Sequence, residues 1–204
     1  MDAFVAVDLE MTGLKVKTDH ILEIGAVKTE NGRVTDTFQT LVNPHRGLDE
    51  AIVRLTGITD EMVRDAPDAE EAVRAFLSFA GELPLLGHNL MFDYSFLKQA
   101  AVNCDLPFER DGIDTLKIAR KVLAEPERKS LDSLCDFFHI QRDRCHRALD
   151  DAKAACLLFF PDAGELRSGA GGSVCREAAT VSGKKAGEDH ACSKKRLESF
   201  THLS

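Results

Sequence analysis

Two acidic residues stand at the end of a segment that is typical of a buried strand. Residues 4–9 are rich in apolar and β-branched residues, and Thr12-Gly13 ends the segment shortly after Glu10. Side chains alternate across a strand, so Asp8 and Glu10 share one face with Phe4 and Ala6. Ionised carboxylates at such a place are costly unless they are paired or bind a metal ion. A solvated pair of acids at the strand end is the simpler alternative.

A histidine followed five residues later by an acid occurs twice in the chain. The first instance is His88 with Asp93. On a helix predicted over residues 92–102, Asp93 would point towards the core together with Phe96 and Leu97. A helix N-cap is the alternative interpretation of this aspartate. His88 by itself is typical of a structural, hydrogen-bonded histidine.

The second instance is His146 with Asp151, at the start of a helix predicted over residues 148–160. The packed face of this helix is predicted to consist of Ala148, Ala152, Ala155 and Phe159. Asp151 lies about 60° from the centre of that face, whereas Asp150 points to the opposite side. We therefore expect Asp151 to be buried, and Asp150 and Arg147 to lie on the surface.

Four carboxylates and one histidine are thus predicted to end elements that face a common core: Asp8, Glu10, Asp93, Asp151 and His146. Oxygen ligands favour Mg²⁺ or Mn²⁺ over zinc, and both ions share these preferences. Four acids fit two divalent metal ions about 3.5–4 Å apart in an in-line phosphoryl displacement, with Asp8 as the bridging ligand. His146 would deprotonate the attacking water, because an unperturbed histidine pKa of about 6.5 suits a base at neutral pH.

The order of the other elements predicts an α/β domain with a mixed sheet. Strands are expected over residues 4–9, 21–27, 37–42 and 83–87, with Asn31-Gly32 as a hairpin turn. Residues 55–59 are predicted to form a turn. Thr59, Asp68 and Ser130 are predicted N-caps, Asp68 within a capping box that includes Glu71. Further helices are expected over residues 69–80 and 115–123 and from Ser130 to residue 137.

Composition bounds the protein class. The chain has 204 residues and a formal net charge of −8, which argues against a polybasic binder. Its six cysteines show no CxxC spacing, so neither a zinc site nor a disulfide framework is predicted. No signal peptide and no apolar segment long enough to span a bilayer is visible. We expect a cytoplasmic protein without membrane contact.

Composition changes at Pro161, where Gly, Ser and Ala become frequent and aromatic residues rare. The sequence therefore predicts a folded domain over residues 1–160 and a flexible, low-complexity tail over residues 161–204. A short partner-binding helix over residues 194–200 is an alternative, but a disordered terminus is favoured.

Three segments resemble the three motifs of the DnaQ-like (DEDDh) 3′→5′ exonucleases, which have an RNase H-like fold. They are Asp8-Leu9-Glu10-Met11-Thr12-Gly13, His88-Asn89-Leu90-Met91-Phe92-Asp93 and His146-Arg147-Ala148-Leu149-Asp150-Asp151. Residues 55–59 and 129–135 match as well, so the resemblance covers residues 1 to about 160. It implies an RNase H-like mixed five-stranded sheet flanked by helices, four acids that bind two metals, and His146 as the general base.

The resemblance also implies a substrate pocket. Met11, Thr12 and Gly13 would contact the terminal nucleotide, and Asn89 and Phe92 would border the same pocket. The structural alternatives are packing for Met11 and Phe92 and turn formation for Thr12 and Gly13. Stacking of a terminal base without readout of its edges implies cleavage that does not depend on base sequence.

Two branches of the family compete for this chain. The wording Asp-Leu-Glu-Met-Thr-Gly resembles oligoribonuclease. Phe92-Asp93 followed by Phe96-Leu97, together with Leu-Thr-Gly-Ile-Thr, resembles the proofreading exonuclease of bacterial DNA polymerase III, as its epsilon subunit or as a domain of a Gram-positive-type polymerase. Two features against one favour the polymerase type, as a separate subunit or a free-standing nuclease.

We therefore expect a metal-dependent 3′→5′ exonuclease that acts on 3′ ends of single-stranded DNA and releases nucleoside 5′-monophosphates in proofreading or repair. Its partner would be a DNA polymerase subunit. RNase T-like or oligoribonuclease-like trimming of RNA 3′ ends is the first alternative. A catalytically inactive scaffold that binds nucleic acid or a protein partner is the second, and the presence of all four acids and His146 argues against it.

Overall fold

Five strands form the sheet in a computed structural model that describes residues 3–160. They are β1 (Ala3–Met11), β2 (Ile21–Glu30), β3 (Arg33–Leu41), β4 (Leu85–Gly87) and β5 (Gly112–Asp114). Their order is β3-β2-β1-β4-β5. The first three strands form an antiparallel meander, and β4 and β5 add parallel to β1. The predicted mixed five-stranded sheet is therefore confirmed.

The meander depends on the predicted turn between β2 and β3. Asn31 and Gly32 have φ values of 52° and 74°, the left-handed backbone that a two-residue hairpin turn requires. The register of β1 and β2 places Asp8 opposite Gly25 and Glu10 opposite Glu23. Both strands therefore bring an acid to the same end of the sheet.

Seven helices complete the described part of the chain. They are α1 (Glu50–Thr56), α2 (Asp60–Val63), α3 (Ala69–Ala80), α4 (Leu90–Asn103), α5 (Thr115–Val122), α6 (Leu131–Phe138) and α7 (Ala148–Phe159). The predicted N-caps are confirmed, because the side chains of Thr59, Asp68 and Ser130 accept hydrogen bonds from the first turns of α2, α3 and α6.

Helix α1 is one of two elements that the sequence analysis did not place, and strand β5 is the other. The predicted turn over residues 55–59 contains the end of α1, which Gly57 closes in the left-handed conformation with φ of 70°. Thr56 completes the turn, since its Oγ1 accepts a hydrogen bond from the N–H of Ile58 at 3.1 Å. Seven residues are too few for a helical period to stand out.

Strand β1 is buried from both sides, as its apolar residues predicted. Val5, Val7 and Leu9 pack with residues of α3 and α4 on one face. Phe4 and Ala6 pack with residues of α7 on the other face. Asp8 and Glu10 continue this second face, so their side chains belong to the layer between the sheet and α7.

The first turn of α7 lies directly against β2. A Cβ atom built on Gly25 would lie 2.1 Å from the backbone nitrogen of Leu149 and 2.2 Å from the carbonyl carbon of Ala148. Only glycine permits backbone contact of this kind. Since Gly25 is opposite Asp8 in the sheet, this contact brings the start of α7 close to the acidic end of β1.

Two predictions reach beyond these elements. The predicted tail over residues 161–204 and the alternative helix over residues 194–200 lie outside the described residues. The domain boundary at residue 160 stays a prediction. Within residues 3–160, no helix has the length and apolar character needed to cross a membrane.

The contact between Gly25 and α7 predicts a large effect of a single methyl group. Gly25→Ala should lower the free energy of unfolding by about 3 kcal/mol or more, because the new Cβ overlaps backbone atoms that have no rotamer to change. Urea unfolding of both proteins would measure the difference. Gly47→Ala is the matched control, since a Cβ there meets no atom within 4 Å. Equal stability of the two variants would contradict the close approach of α7.

Candidate active site

The acidic residues of the three motifs meet at one edge of the sheet. Strands β1 and β4 run parallel, so their carboxyl ends lie on the same side. Asp8 and Glu10 lie near the end of β1, Asp93 lies in the first turn of α4 after β4, and Asp151 lies in the first turn of α7. Burial raises the pKa of Asp8, and the charges of Asp93, Asp151 and Glu10 raise it further, as expected of carboxylates grouped at one edge.

Three of the predicted site residues form a compact set of donor atoms. One oxygen each of Glu10 and Asp151 and one ring nitrogen of His146 lie within 4.8 Å of one another. Both carboxylates are buried, and His146 is half-buried. Distances of this size allow one cation to contact all three side chains, so the arrangement fits a metal ion.

The electrostatics of the cluster point the same way. Burial, with the charges of Asp151 and Glu23, raises the pKa of Glu10 to about 8. Burial and neighbouring acids also raise the pKa values of Asp8 and Asp93 well above the usual range. Burial raises the pKa of Asp151 as well, although the Arg142 guanidinium opposes this shift. Carboxylates that repel each other in this way are suited to divalent cations, which favour oxygen ligands and remove the repulsion.

Asp93 has the buried position that the helical period predicted. It is buried together with Phe96 and Leu97. The N-cap alternative is wrong, because the N-cap of α4 is Asn89, whose backbone is left-handed with φ of 66°. The backbone N–H of Asn89 donates a hydrogen bond to Oδ1 of Asp114 at 3.1 Å, which ties the start of α4 to the end of β5.

His88 is a structural histidine, as its isolated position suggested. Its Nδ1 lies 2.9 Å from Oγ1 of Thr115, and its Nε2 lies 2.8 Å from the carbonyl oxygen of Lys129. Burial lowers its pKa, which favours the neutral ring. Both nitrogens are therefore engaged, and His88 joins β4 to α5 and to the segment before α6.

Glu23 is the residue of this region that the sequence analysis missed. Its side chain is fully buried, and its two carboxylate oxygens accept four hydrogen bonds from three residues. Oε1 accepts from Arg147 Nη2 at 2.6 Å and from Gln39 Nε2 at 2.7 Å, and Oε2 accepts from Arg147 Nε at 3.0 Å and from the N–H of Ala148 at 3.1 Å. The sequence contained a signal for this role, because Glu23 is an acid between Leu22 and Ile24 in a predicted strand.

This Glu23–Arg147 pair fixes the backbone at His146. Arg147 is the N-cap residue of α7, and Ala148 is its first residue, so Glu23 holds both ends of that junction. His146 immediately precedes it and has a left-handed backbone with φ of 57°, which is uncommon for a residue other than glycine. The pair therefore holds in place the backbone that carries the His146 side chain.

Two surface predictions were wrong. Arg147 is not on the surface, since its side chain is 12% exposed and pairs with Glu23. Asp150 is buried as well, with Nζ of Lys153 at 3.3 Å and Nε of Arg144 at 3.7 Å from its carboxylate oxygens. Helix α7 contacts the sheet and also α5 and α6, so it has no broad solvent-facing side. The helical wheel assumed one.

Arg142 is a second residue that the sequence analysis did not identify. It lies in the segment between α6 and α7, and its Nη1 donates to Oδ1 of Asp151 at 2.6 Å. Its Nη2 donates to Asp132 in the first turn of α6. A cation is thus placed on one of the predicted metal ligands.

The segment after β1 has a structure of its own. Oγ1 of Thr12 accepts a hydrogen bond from the N–H of His20 at 2.9 Å. A Cβ on Gly13 would lie 2.5 Å from Oδ2 of Asp19, which itself accepts from the N–H of Lys15 at 2.8 Å. Turn formation is therefore a role of both Thr12 and Gly13, and their contact with a nucleotide stays a prediction.

The remaining pocket candidates combine packing with exposure. Met11 and Phe92 are half-buried and pack against the core of β1 and α4, where Phe92 contacts the Phe96 ring at 5.4 Å between centroids. Asn89 is exposed. Packing is therefore a role of both apolar residues, each keeps part of its surface exposed, and their contact with a nucleotide stays a prediction.

Residues 5–159 match the profile of the family described as Exonuclease. The chain belongs to this exonuclease family. DNA polymerase III PolC-type of Caldanaerobacter subterraneus subsp. tengcongensis is 43% identical over 157 residues, which are 77% of this chain and 11% of that protein. The protein of the same name from Bacillus subtilis is 39% identical over 162 residues, 78% of this chain and 11% of its own length. The chain thus spans about a tenth of these curated relatives.

Solved structures share the fold at lower identity. E. coli exonuclease I in complex with a dT13 oligonucleotide has a TM-score of 0.66 and 19% identity, over 76% of this chain and 40% of that chain. Exonuclease X in complex with 5′ overhanging duplex DNA has a TM-score of 0.60 and 24% identity, over 88% of this chain and 99% of that chain. The expectation of an RNase H-like exonuclease fold is confirmed.

The buried Glu23–Arg147 pair predicts a strong stability effect. Glu23→Gln keeps the shape of the side chain but removes its charge, so the guanidinium of Arg147 stays buried without a counter-charge. Chemical unfolding should show a loss of about 3 kcal/mol. Glu50→Gln is the control, because the pair of Glu50 with Arg54 is exposed and should contribute about 0.5 kcal/mol or less. Losses of similar size would refute the structural importance of the buried pair.

The raised pKa of Glu10 predicts how stability depends on pH in EDTA. With a pKa of about 8 in the folded chain against an ordinary 4.5, the folded state binds the extra proton. Its contribution is complete below pH 4.5 and is lost as pH rises to about 8. The melting temperature in EDTA should therefore fall over this range, and it should fall less in Glu10→Gln. The same pH slope in both proteins would argue against a buried, protonated Glu10.

Proposed function

We propose that this domain is a metal-dependent 3′→5′ exonuclease that hydrolyses phosphodiester bonds at 3′ ends of single-stranded DNA and releases nucleoside 5′-monophosphates. The observation that carries the proposal is that a ring nitrogen of His146 and carboxylate oxygens of Glu10 and Asp151 lie within 4.8 Å of one another, so the proposed base stands beside two proposed metal ligands. Asp8 and Asp93 lie at the same edge of the sheet. Membership of the exonuclease family supports the reaction class.

The acidic residues fit divalent metal ions. Asp8, Glu10, Asp93 and Asp151 would hold two ions, Mg²⁺ or Mn²⁺, since all four offer carboxylate oxygens and their pKa values show mutual repulsion or burial. Bound ions would stabilise the negative charge that develops on the phosphate and on the leaving oxygen. A site for two ions, which these four acids would hold, is part of this proposal.

His146 supplies the base. It takes a proton from a water molecule whose oxygen forms the new bond to phosphorus, while the bond from phosphorus to the 3′ oxygen of the preceding nucleotide breaks. The leaving 3′ oxygen then takes a proton, and the released product is a nucleoside 5′-monophosphate. The Glu23–Arg147 pair holds the junction that follows His146, so the backbone that carries this ring is held in place before substrate arrives.

Substrate contact is proposed at the edge next to the acids. Met11, Thr12 and Gly13 would border the terminal nucleotide, with Asn89 and Phe92 on the other side. The half-buried apolar side chains of Met11 and Phe92 would contact the face of a base and not its edges, so cleavage would not depend on sequence. The structures of E. coli exonuclease I with dT13 and of exonuclease X with duplex DNA support DNA as the substrate class.

The relatives named DNA polymerase III PolC-type support a replication context. A DNA polymerase is therefore the proposed partner, and proofreading or repair the proposed role. The cytoplasmic location expected from the sequence belongs to the same proposal.

A cleavage assay on matched oligonucleotides tests the function. Single-stranded DNA and RNA of one sequence, labelled at the 5′ end or at the 3′ end, would be incubated with Mg²⁺, Mn²⁺ or EDTA. We expect metal-dependent ladders from 5′-labelled DNA and early mononucleotide release from 3′-labelled DNA. A strong preference for RNA or for very short oligomers would move the assignment to RNA trimming. No cleavage by folded, metal-supplied protein would favour the inactive scaffold.

Variants assign the activity to this site. Asp8→Asn should abolish cleavage, and His146→Gln should lower the rate by about 10²–10⁴-fold, because both remove a group that acts in the reaction. Asp143→Asn is the control, since Asp143 is exposed in the segment that precedes His146. Full activity of Asp8→Asn would contradict the metal site, and an unchanged pH–rate profile in His146→Gln would exclude it as the base.

A further inference from the structure

We propose that Arg142 is a positioning residue of the metal site: it fixes the carboxylate of Asp151 from the side of α6 and stays in place when a cation binds. This inference rests on the proposed function, because it takes Asp151 as a metal ligand. Neither the motif positions nor the comparisons point to Arg142. Its contacts do.

The geometry gives Arg142 two acidic partners at once. Nη1 donates to Oδ1 of Asp151 at 2.6 Å, and Nη2 donates to a carboxylate oxygen of Asp132. Asp132 lies in the first turn of α6 and Asp151 in the first turn of α7. The guanidinium therefore bridges two helix starts, and its planar fork fits two oxygens at fixed angles.

Burial makes this bridge rigid. The side chain of Arg142 is 8% exposed and that of Asp151 is 9% exposed, while Asp132 is 58% exposed. When a cation binds Asp151, the buried guanidinium of Arg142 still has the carboxylate of Asp132 as its second partner. We therefore expect it to stay in place. An ionised carboxylate has about four acceptor sites, so the bond at Oδ1 leaves room for a cation on the same group.

The alternative is that Arg142 substitutes for the cation and must be displaced by it. The two interpretations predict opposite effects of removing the guanidinium. A displaced residue competes with the metal, so its removal would tighten metal binding. A residue that orients a ligand supports the metal, so its removal would weaken binding, by 10–100-fold for comparable outer-shell partners. The contact with Asp132 favours the supporting role.

The bridge also gives a role to a matched segment that the proposed mechanism does not use. Residues 129–135 contain Ser130, the N-cap of α6, and Asp132. Asp132 reaches the acidic cluster through Arg142. We therefore infer that this segment supports Asp151 indirectly, through the contact of Asp132 with Arg142.

The test measures Mn²⁺ binding directly, with the full chain and without substrate. Free Mn²⁺ would be followed by electron paramagnetic resonance during titration at constant pH. Arg142→Gln should weaken Mn²⁺ binding by about 10–100-fold. Arg144→Gln is the matched control, because Arg144 lies in the same segment with a 62% exposed side chain, and its affinity should stay within about twofold of the unaltered chain.

A second variant keeps the test sharp if Arg142→Gln fails to fold. Arg142→Lys retains a positive charge but cannot hold two carboxylates with a planar fork, and we expect it to bind Mn²⁺ about tenfold more weakly. Thermal unfolding in EDTA would show that each variant is folded. Unaltered affinity in Arg142→Lys would mean that charge alone suffices and would overturn the positioning role.

The outcomes separate this inference from the proposed function. If the unaltered chain binds Mn²⁺ and Arg142→Gln binds it equally or more tightly, Arg142 does not support Asp151 and the inference is wrong. If the unaltered chain binds no Mn²⁺, the metal site itself is refuted, and the proposed function fails with the inference. Weaker binding in both Arg142 variants, with Arg144→Gln unaffected, confirms the positioning role.

Discussion

The buried ion pair between Glu23 and Arg147 is the interaction on which the arrangement of the site depends. Glu23 belongs to β2 of the central meander, and Arg147 and Ala148 begin α7. The pair therefore holds the start of α7 against the sheet, which brings His146 and Asp151 close to the acids of β1. Gly25 contributes the second half of this junction by allowing backbone contact with Leu149. Removal of either partner would leave the other charge buried and unpaired. The loss of folding free energy would then exceed what the intact pair contributes.

The site gathers negative charge that the fold alone does not favour. Burial and neighbouring acids raise the pKa values of Asp8, Glu10 and Asp93. Two arginines reduce this repulsion: Arg142 donates a hydrogen bond to Asp151, and the charge of Arg147 opposes the rise in the pKa of Glu10. Grouping these carboxylates lowers the stability of the folded state, and bound divalent cations would offset that loss. This is the physical link between the fold and the proposed reaction.

The positions of Asp93 and Asp151 show how far residue patterns reach. Helical periodicity placed both on packed faces, and both are buried. The same reasoning placed Asp150 on the surface, where it is not, because α7 packs against the sheet and two helices and leaves no polar side. Periodicity distinguishes a buried face from an exposed one only when a helix has both.

The sequence by itself determined the features that depend on neighbours along the chain. Local propensities and the spacing of apolar residues were sufficient to predict the Asn31-Gly32 turn, the two-sided burial of β1 and the N-caps Thr59, Asp68 and Ser130. Tertiary structure decided the rest. Glu23 and Arg147 are 124 residues apart, and the contacts of Gly25 with α7 and of Arg142 with Asp132 and Asp151 likewise join separate elements. A single sequence describes each element but not its partner, because the energy of burying a charge is defined only once the opposing group is in place.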